Sequence, residues 1–170
     1  MLIDIFTEII SDSLDFIIPA YTEREISIPE IEYMSISITG ARRSGKTFRT
    51  YQYMSDLVKR GINRNNICRV QFNDHRIKSF PSAEFHSIDQ AYYSLFPEKR
   101  NNEIIWFVFD EIHRIDGWED YILYLLENPR HKVLITGSTS KLLKGDISSA
   151  LRGKNFSVPL YPFSFMGVCT

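Results

Sequence analysis

"GARRSGKT", residues Gly40–Thr47, sets a glycine, four variable positions and then Gly-Lys-Thr, the spacing of a P-loop. Glycine at Gly40 and Gly45 allows backbone angles and close approaches that a side chain would block. Successive N–H groups from Ala41, Arg42, Arg43 and Ser44 can then turn inward as an anion nest. Lys46 is placed to reach the β and γ phosphates of a nucleotide. Thr47 and Phe48 open a helix whose N-terminal N–H groups favour anions, and the Thr47 hydroxyl suits a Mg²⁺ ion that keeps most of its waters.

A basic surface turn would share that composition, so the flanks decide. "YMSISIT" (33–39) alternates apolar and small polar residues without a charge, as a strand entering the loop should. "FRTYQYMSDLVKRG" follows, with Tyr51, Met54, Leu57 and Val58 at helical spacing and a Lys-Arg-Gly stop. Strand, glycine loop and helix occur in the order a phosphate site requires.

Further strands and helices alternate downstream. "NICRVQF" (66–72) reads as a strand, and "SIDQAYYSLF" as a helix with Ser87 and Gln90 in a capping-box arrangement and Ala91, Tyr92 and Leu95 on one face. "EIIWFVFDEIHR" carries six uninterrupted apolar residues, Ile104 to Phe109, the mark of a strand buried on both faces of a parallel sheet. Asp110 and Glu111 end it, at the sheet edge where ligands bind in open α/β folds. Asp110 fits the Walker B role of holding the Mg²⁺ shell, and Glu111 fits the polarisation of an attacking water. "GWEDYILYLLEN" places Trp118, Tyr121, Ile122, Leu125 and Leu126 on one helical stripe. "KVLITGSTS" (132–140) is the next strand, bringing Thr136, Ser138 and Thr139 toward the same edge, and "NFSVPLYPF" is the last, preceded by Arg152 and Lys154.

Composition bounds the rest. A chain of 170 residues with 44% hydrophobic and 14% aromatic content is long enough to bury one core. No apolar run approaches the ~20 residues of a membrane span. The first nineteen residues carry acids where a signal peptide has bases, which predicts an amphipathic helix of the mature protein. Cys68 and Cys169 make no CxxC motif, and the four histidines have no metal-ligand spacing, so a reduced, cytoplasmic protein without a structural metal is expected. Net charge is −1, yet Met1 to Glu32 holds eight acids and one base, while Arg42 to Lys78 holds ten bases and two acids. This segregation predicts that the acidic segment lies against the basic one; a basic face offered to a polyanion is the alternative.

Together "ITGARRSGKT", "FVFDEIHRIDGWED", "LITGSTSKLL" and "SSALRGKNFSVPLYPFSF" resemble the ATPase core of a prokaryotic AAA-type P-loop family. The resemblance implies an α/β P-loop NTPase fold, a parallel sheet between helices with the additional-strand topology. It also implies MgATP or MgADP as ligand, Lys46 and Thr47 as phosphate and metal contacts, Asp110 and Glu111 as Walker B, and Ser138 as the sensor. Where relatives show Gly-Arg this chain has Gly153-Lys154, so Arg152 is the substitute for a trans-acting basic finger. Relatives continue into a helical lid and a further region. The expected organisation is an acidic N-terminal helix and lead-in strand (1–32), an ATPase core (33–165) and the truncated start of a C-terminal region (166–170). The expected function is ATP binding with Mg²⁺-dependent hydrolysis that drives a conformational change in a protein partner or a self-assembly, with turnover below about 1 s⁻¹ for this chain alone. A nucleotide-gated switch with negligible turnover is the rival; a nucleic-acid-coupled motor has little support in composition, since no basic stripe with interleaved aromatics lies beyond the Arg42 to Lys78 segment.

Overall fold

A computed structural model describes residues 1–138, 142 and 147–163. Five parallel strands, β1 (Ser35–Gly40), β2 (Ile67–Gln71), β3 (Ile105–Asp110), β4 (His131–Ser138) and β5 (Asn155–Pro159), form one sheet in the order β2-β3-β4-β1-β5. The helices are α1 (Leu2–Asp15), α2 (Lys46–Lys59), α3 (His86–Leu95), α4 (Trp118–Leu126) and α5 (Ile147–Ala150). Strand β4 lies between the P-loop strand β1 and the acid-bearing strand β3, which is the additional-strand arrangement. Its register sets Gly40 beside Ser138, and the β2–β3 register sets Gln71 beside Asp110. The motif ends of these strands therefore share one edge.

Strand alternation sends neighbouring residues to opposite layers. Cys68, Val70, Phe107, Phe109, Val133 and Ile135 join the core beneath α1, α3 and α4, with Phe6, Phe85, Tyr92 and Tyr121 from the helices. Ile36, Ile38, Ile67, Val108 and Leu134 meet Met54 and Leu57 of α2 on the other face. The stripe of α4 is buried as its spacing predicts.

Helix α1 is held chiefly by apolar contact, with Phe6 and Ile10 fully buried against the α3 side. Charge adds to it: Arg76 Nη1 lies 2.7 Å from Asp12 Oδ2 and 3.9 Å from Glu8 Oε2. The acidic segment thus meets the basic one as expected, although grease rather than charge fills the joint. The lead-in strand does not form. Residues 16–33 instead run as an unpaired strap over α2, with Ile18, Ile26, Ile28 and Ile31 packed on the α2-side core.

Three local expectations need correction. Val58 is 44% exposed because the strap covers a different face of α2, and Ile104 lies just before β3 and is 40% exposed. Ser87 is not an N-cap: α3 starts at His86, and the Ser87 hydroxyl turns to Glu84 Oε2 at 3.3 Å. A preceding 3-10 turn, Ser82–Phe85, already supplies the helix entry. Thr139, Cys169 and the expected C-terminal piece 166–170 lie outside the described residues.

Candidate nucleotide site

The P-loop leaves β1 at Gly40 and enters α2 at Lys46. A Cβ on Gly40 would stand 2.5 Å from the Leu160 carbonyl oxygen and 2.6 Å from Ser44 Oγ, so only glycine fits. Gly45 has φ +95°, a left-handed conformation that a side chain would strain. Ser44 Oγ is buried without a hydrogen-bond partner among the described residues. Lys46 donates from Nζ to the carbonyl oxygens of Gly40 at 3.0 Å and Ala41 at 2.8 Å. Its ammonium therefore sits in the mouth of the loop. Burial lowers its pKa, and the charges of Glu111 and Asp110 oppose that shift.

Across the edge, Asp110 is fully buried at the end of β3. Its Oδ2 accepts from the Thr47 hydroxyl at 2.8 Å, and its Oδ1 accepts from the Thr136 hydroxyl. Thr136 also accepts the Glu111 backbone N–H at 3.0 Å. Thr136 is thus spent on bracing the acid pair, which leaves Ser138, the residue beside Gly40 in register, as the described β4 hydroxyl at the edge. Glu111 has φ +61°, an uncommon state for a non-glycine residue that lifts its side chain out of the strand path. His113 Nε2 lies 3.6 Å from Glu111 Oε2.

A cleft of about 480 Å³ joins these groups, lined by Arg42, Arg43, Lys46, Thr47, Glu111 and Arg114, with Gly45, Phe48 and Asn73 at its sides. A second cavity of about 240 Å³ adjoins the first turn of α2, bounded by Tyr21, Arg24, Phe48, Arg49, Gln52 and Phe163. Arg24 joins three segments here. It donates to the Ser44 carbonyl at 2.8 Å and to the Tyr161 carbonyl, and its guanidinium stacks 3.7 Å from the Phe163 ring centroid. Its backbone exchanges two hydrogen bonds with the Gln52 side chain, each 3.0 Å.

The donors present suit MgATP or MgADP: a glycine-walled anion nest, an ammonium in its mouth, and a hydroxyl–carboxylate pair for a hard cation that keeps its waters. Of the residues expected at the site, Gly40 to Phe48, Asp110, Glu111 and Ser138 gather at this edge. Arg152 does not. It and Lys154 precede β5 at the opposite edge, where the Lys154 carbonyl accepts the Ser35 N–H at 2.9 Å. The length of β1 separates that edge from Gly40 by roughly 17 Å, so Arg152 cannot serve the cleft of its own chain. Arg114 and Asn73, which do line it, carried no assignment from the sequence, although Arg114 stands four residues past Asp110. Arg24 gave no motif signal at all, because its place depends on the fold of the strap.

No helix among the described residues is long and apolar enough to cross a membrane. A family model described as an AAA domain matches residues 32–169. An uncharacterised protein of Haemophilus influenzae is 30% identical over 147 residues, covering 85% of this chain and 35% of its own length. One of Methanocaldococcus jannaschii is 29% identical over 162 residues, covering 95% and 34%. The chain thus spans about a third of the length of the curated relatives it matches. Among solved structures, Cdc6p from Pyrobaculum aerophilum aligns over 98% of this chain and 46% of its own at a TM-score of 0.53 and 14% identity, a likeness of fold. With the P-loop, the paired acids and the additional-strand sheet in place, the chain belongs to the AAA domain family.

Proposed function

We propose that this chain is a Mg²⁺-dependent ATP-binding and ATP-hydrolysing module. The observation that carries the reading is the 2.8 Å hydrogen bond from Thr47 to Asp110, which ties the P-loop to the acid 63 residues away. Mg²⁺, held by that pair, would supply charge neutralisation at the phosphates. Lys46 would exchange its two loop carbonyls for phosphate oxygens. Glu111, at the rim of the cleft, would orient a water and take its proton; Ser138 would report the state of the end phosphate. The cavity under Arg24 and Phe163 has the position and the aromatic walls for the base. Nucleotide titrations of the wild type and Lys46→Ala test the reading. At least a tenfold loss of affinity is expected from removal of a charge-assisted contact, and equal affinities would refute it.

The switch reading has one observation in its favour: Arg152 and Lys154 lie at the far sheet edge, where they serve only a neighbouring copy. If they act, turnover per chain rises with protein concentration. If turnover stays negligible at every concentration while nucleotide binds, the module is a switch.

A further inference from the structure

Arg69 is a charge inside a buried strand. Its neighbours Cys68 and Val70 enter the core beneath α1 and α3, so Arg69 projects to the α2 face with Ile67 and Gln71. Its side chain is 7% exposed, and its Nη2 lies 3.7 Å from Asp110 Oδ2, the oxygen that also accepts from Thr47. The same Nη2 donates to Gln71 Oε1 at 3.3 Å, and the guanidinium lies 5.0 Å from the Tyr51 ring and 5.8 Å from the Phe16 ring. Its Nε is buried without a partner among the described residues. Two other arginines, Arg49 buried and Arg64 half-buried, end differently. Arg49 donates to the Ile26 carbonyl at 2.6 Å and Arg64 to the Ser13 carbonyl at 2.6 Å, as pins between segments. Arg69 ends on the carboxylate assigned to the metal.

We infer that Arg69 is a positioning residue for Asp110, a resident cation that neutralises the buried acid before a metal arrives and sets how much Mg²⁺ the site requires. The inference rests on the proposed nucleotide function. The guanidinium brings a positive charge to within 3.7 Å of Asp110 Oδ2. A divalent cation held by Thr47 and Asp110 approaches the same Oδ2 and meets that charge where water screens little. Free Mg²⁺ is therefore opposed, whereas Mg²⁺ carried on a di- or triphosphate brings enough negative charge to enter. Arg69 touches neither substrate nor metal in this scheme; it acts through the acid.

The test titrates Mg²⁺ against ADP affinity, by calorimetry, in the wild type, Arg69→Met and Arg69→Lys, with melting temperature recorded for each. Arg69→Met keeps the apolar stem and loses the charge, so the Mg²⁺ midpoint for tight ADP binding should fall on the order of tenfold. Arg69→Lys should stay within about twofold of the wild type, because the charge is kept. Mn²⁺ binding without nucleotide, followed by electron paramagnetic resonance, should strengthen in Arg69→Met alone. A lower melting temperature with an unchanged Mg²⁺ midpoint would reduce Arg69 to a pin between the start of the strap and α2 and overturn the inference, as would a raised midpoint. If Arg69→Met does not fold, Arg69→Gln takes its place with the same expectation. Loss of ADP binding in the wild type at every Mg²⁺ concentration would instead strike the nucleotide reading itself, and is told apart by the wild-type titration alone.

Discussion

Beneath α1, α3 and α4 the sheet is closed by rings: Phe72, Phe85, Phe107, Phe109, Tyr92 and Tyr121 are buried, and each lies within 6.1 Å, centroid to centroid, of another. Beneath α2 the same strands bury Arg69, Asp110 and Thr136, and the helix adds Lys46, Arg49 and Thr50. The first face saturates itself with dispersion and needs no ligand. The second holds charges whose partners are few and shared, and an arrangement of that kind is costly unless something binds it. Stability should accordingly reside on one face and ligand response on the other.

Truncating the ring face should have the largest effect. Phe107 is fully buried, 4.9 Å from the His131 ring and 5.9 Å from Phe109. Phe107→Ala should cost about 3–5 kcal/mol, seen as a lower denaturant midpoint with nucleotide affinity unchanged in the fraction that stays folded. A cost below about 1 kcal/mol would break the division between the faces.

On the other face the sharpest contrast is within the acid pair. Glu111→Gln should leave ADP affinity within about twofold and lower single-turnover hydrolysis by about 10²–10⁴. Asp110→Ala should abolish the Mg²⁺ dependence of binding and leave Arg69 without its counter-charge, so melting temperature should fall as well. Unchanged hydrolysis in Glu111→Gln would place the base elsewhere in the cleft, with Arg114 and Asn73 as its neighbours.

The two faces were not equally legible in the sequence. The ring face follows from periodicity, since apolar residues at strand and helix spacing have one place to go, and the α4 stripe is buried as its spacing requires. The P-loop and acid pair were legible because chemistry fixes their spacing. The electrostatics between them were not, because Arg69 and Asp110 are 41 residues apart and meet only through the β2–β3 register. Arg152 was legible only as a motif position: the length of β1 sets it away from its own cleft, which is compatible with a finger that acts on a neighbouring copy. The strap was misread for a different reason. Ile26 and Ile28 stand two apart, as in a strand, but with Ile18 and Ile31 they pack on the α2-side core, and the strap pairs with no strand among the described residues.

The charged seam of α1 should matter less than its apolar side. Arg76 meets Asp12, Glu8 and Asp74 in a partly exposed cluster, and its hydrogen bonds hold the Asp74 carboxyl below the usual range. Pairs of this exposure contribute about 0.2–1 kcal/mol and are screened by salt. Arg76→Ala should therefore lower the melting temperature slightly in dilute buffer and hardly at all in 1 M salt, whereas Phe6→Ala should cost several times more at either ionic strength. A larger loss for Arg76→Ala than for Phe6→Ala would mean that charge, not apolar burial, holds the helix.

The smallest effect belongs to His131, in a polar knot on the ring face at the start of β4. Its Nδ1 lies 3.0 Å from the Leu125 carbonyl oxygen and its Nε2 2.8 Å from the Tyr93 hydroxyl, while Asn128 Nδ2 stands 3.5 Å away. The Leu125 carbonyl is an acceptor only, so Nδ1 carries the proton and Nε2 accepts from Tyr93. Burial lowers the imidazole pKa from its ordinary value; the Leu125 bond opposes this and the Arg100 charge adds to it. A depressed pKa means that the unfolded chain takes up the proton first. The contribution to stability is complete above the unfolded value near 6.5 and is lost as pH falls below it. Asp89, whose carboxyl is raised above its ordinary value by burial, acts with the opposite sign, since its protonation relieves a buried charge; comparison with His131→Gln isolates the histidine's part. Between pH 7.5 and 5.5 the histidine should govern this knot. Wild-type melting temperature should decline over that interval, and His131→Gln should start lower and decline less. Parallel profiles for the two proteins would show that the ring face has no titratable weak point and that acid sensitivity arises on the ligand face.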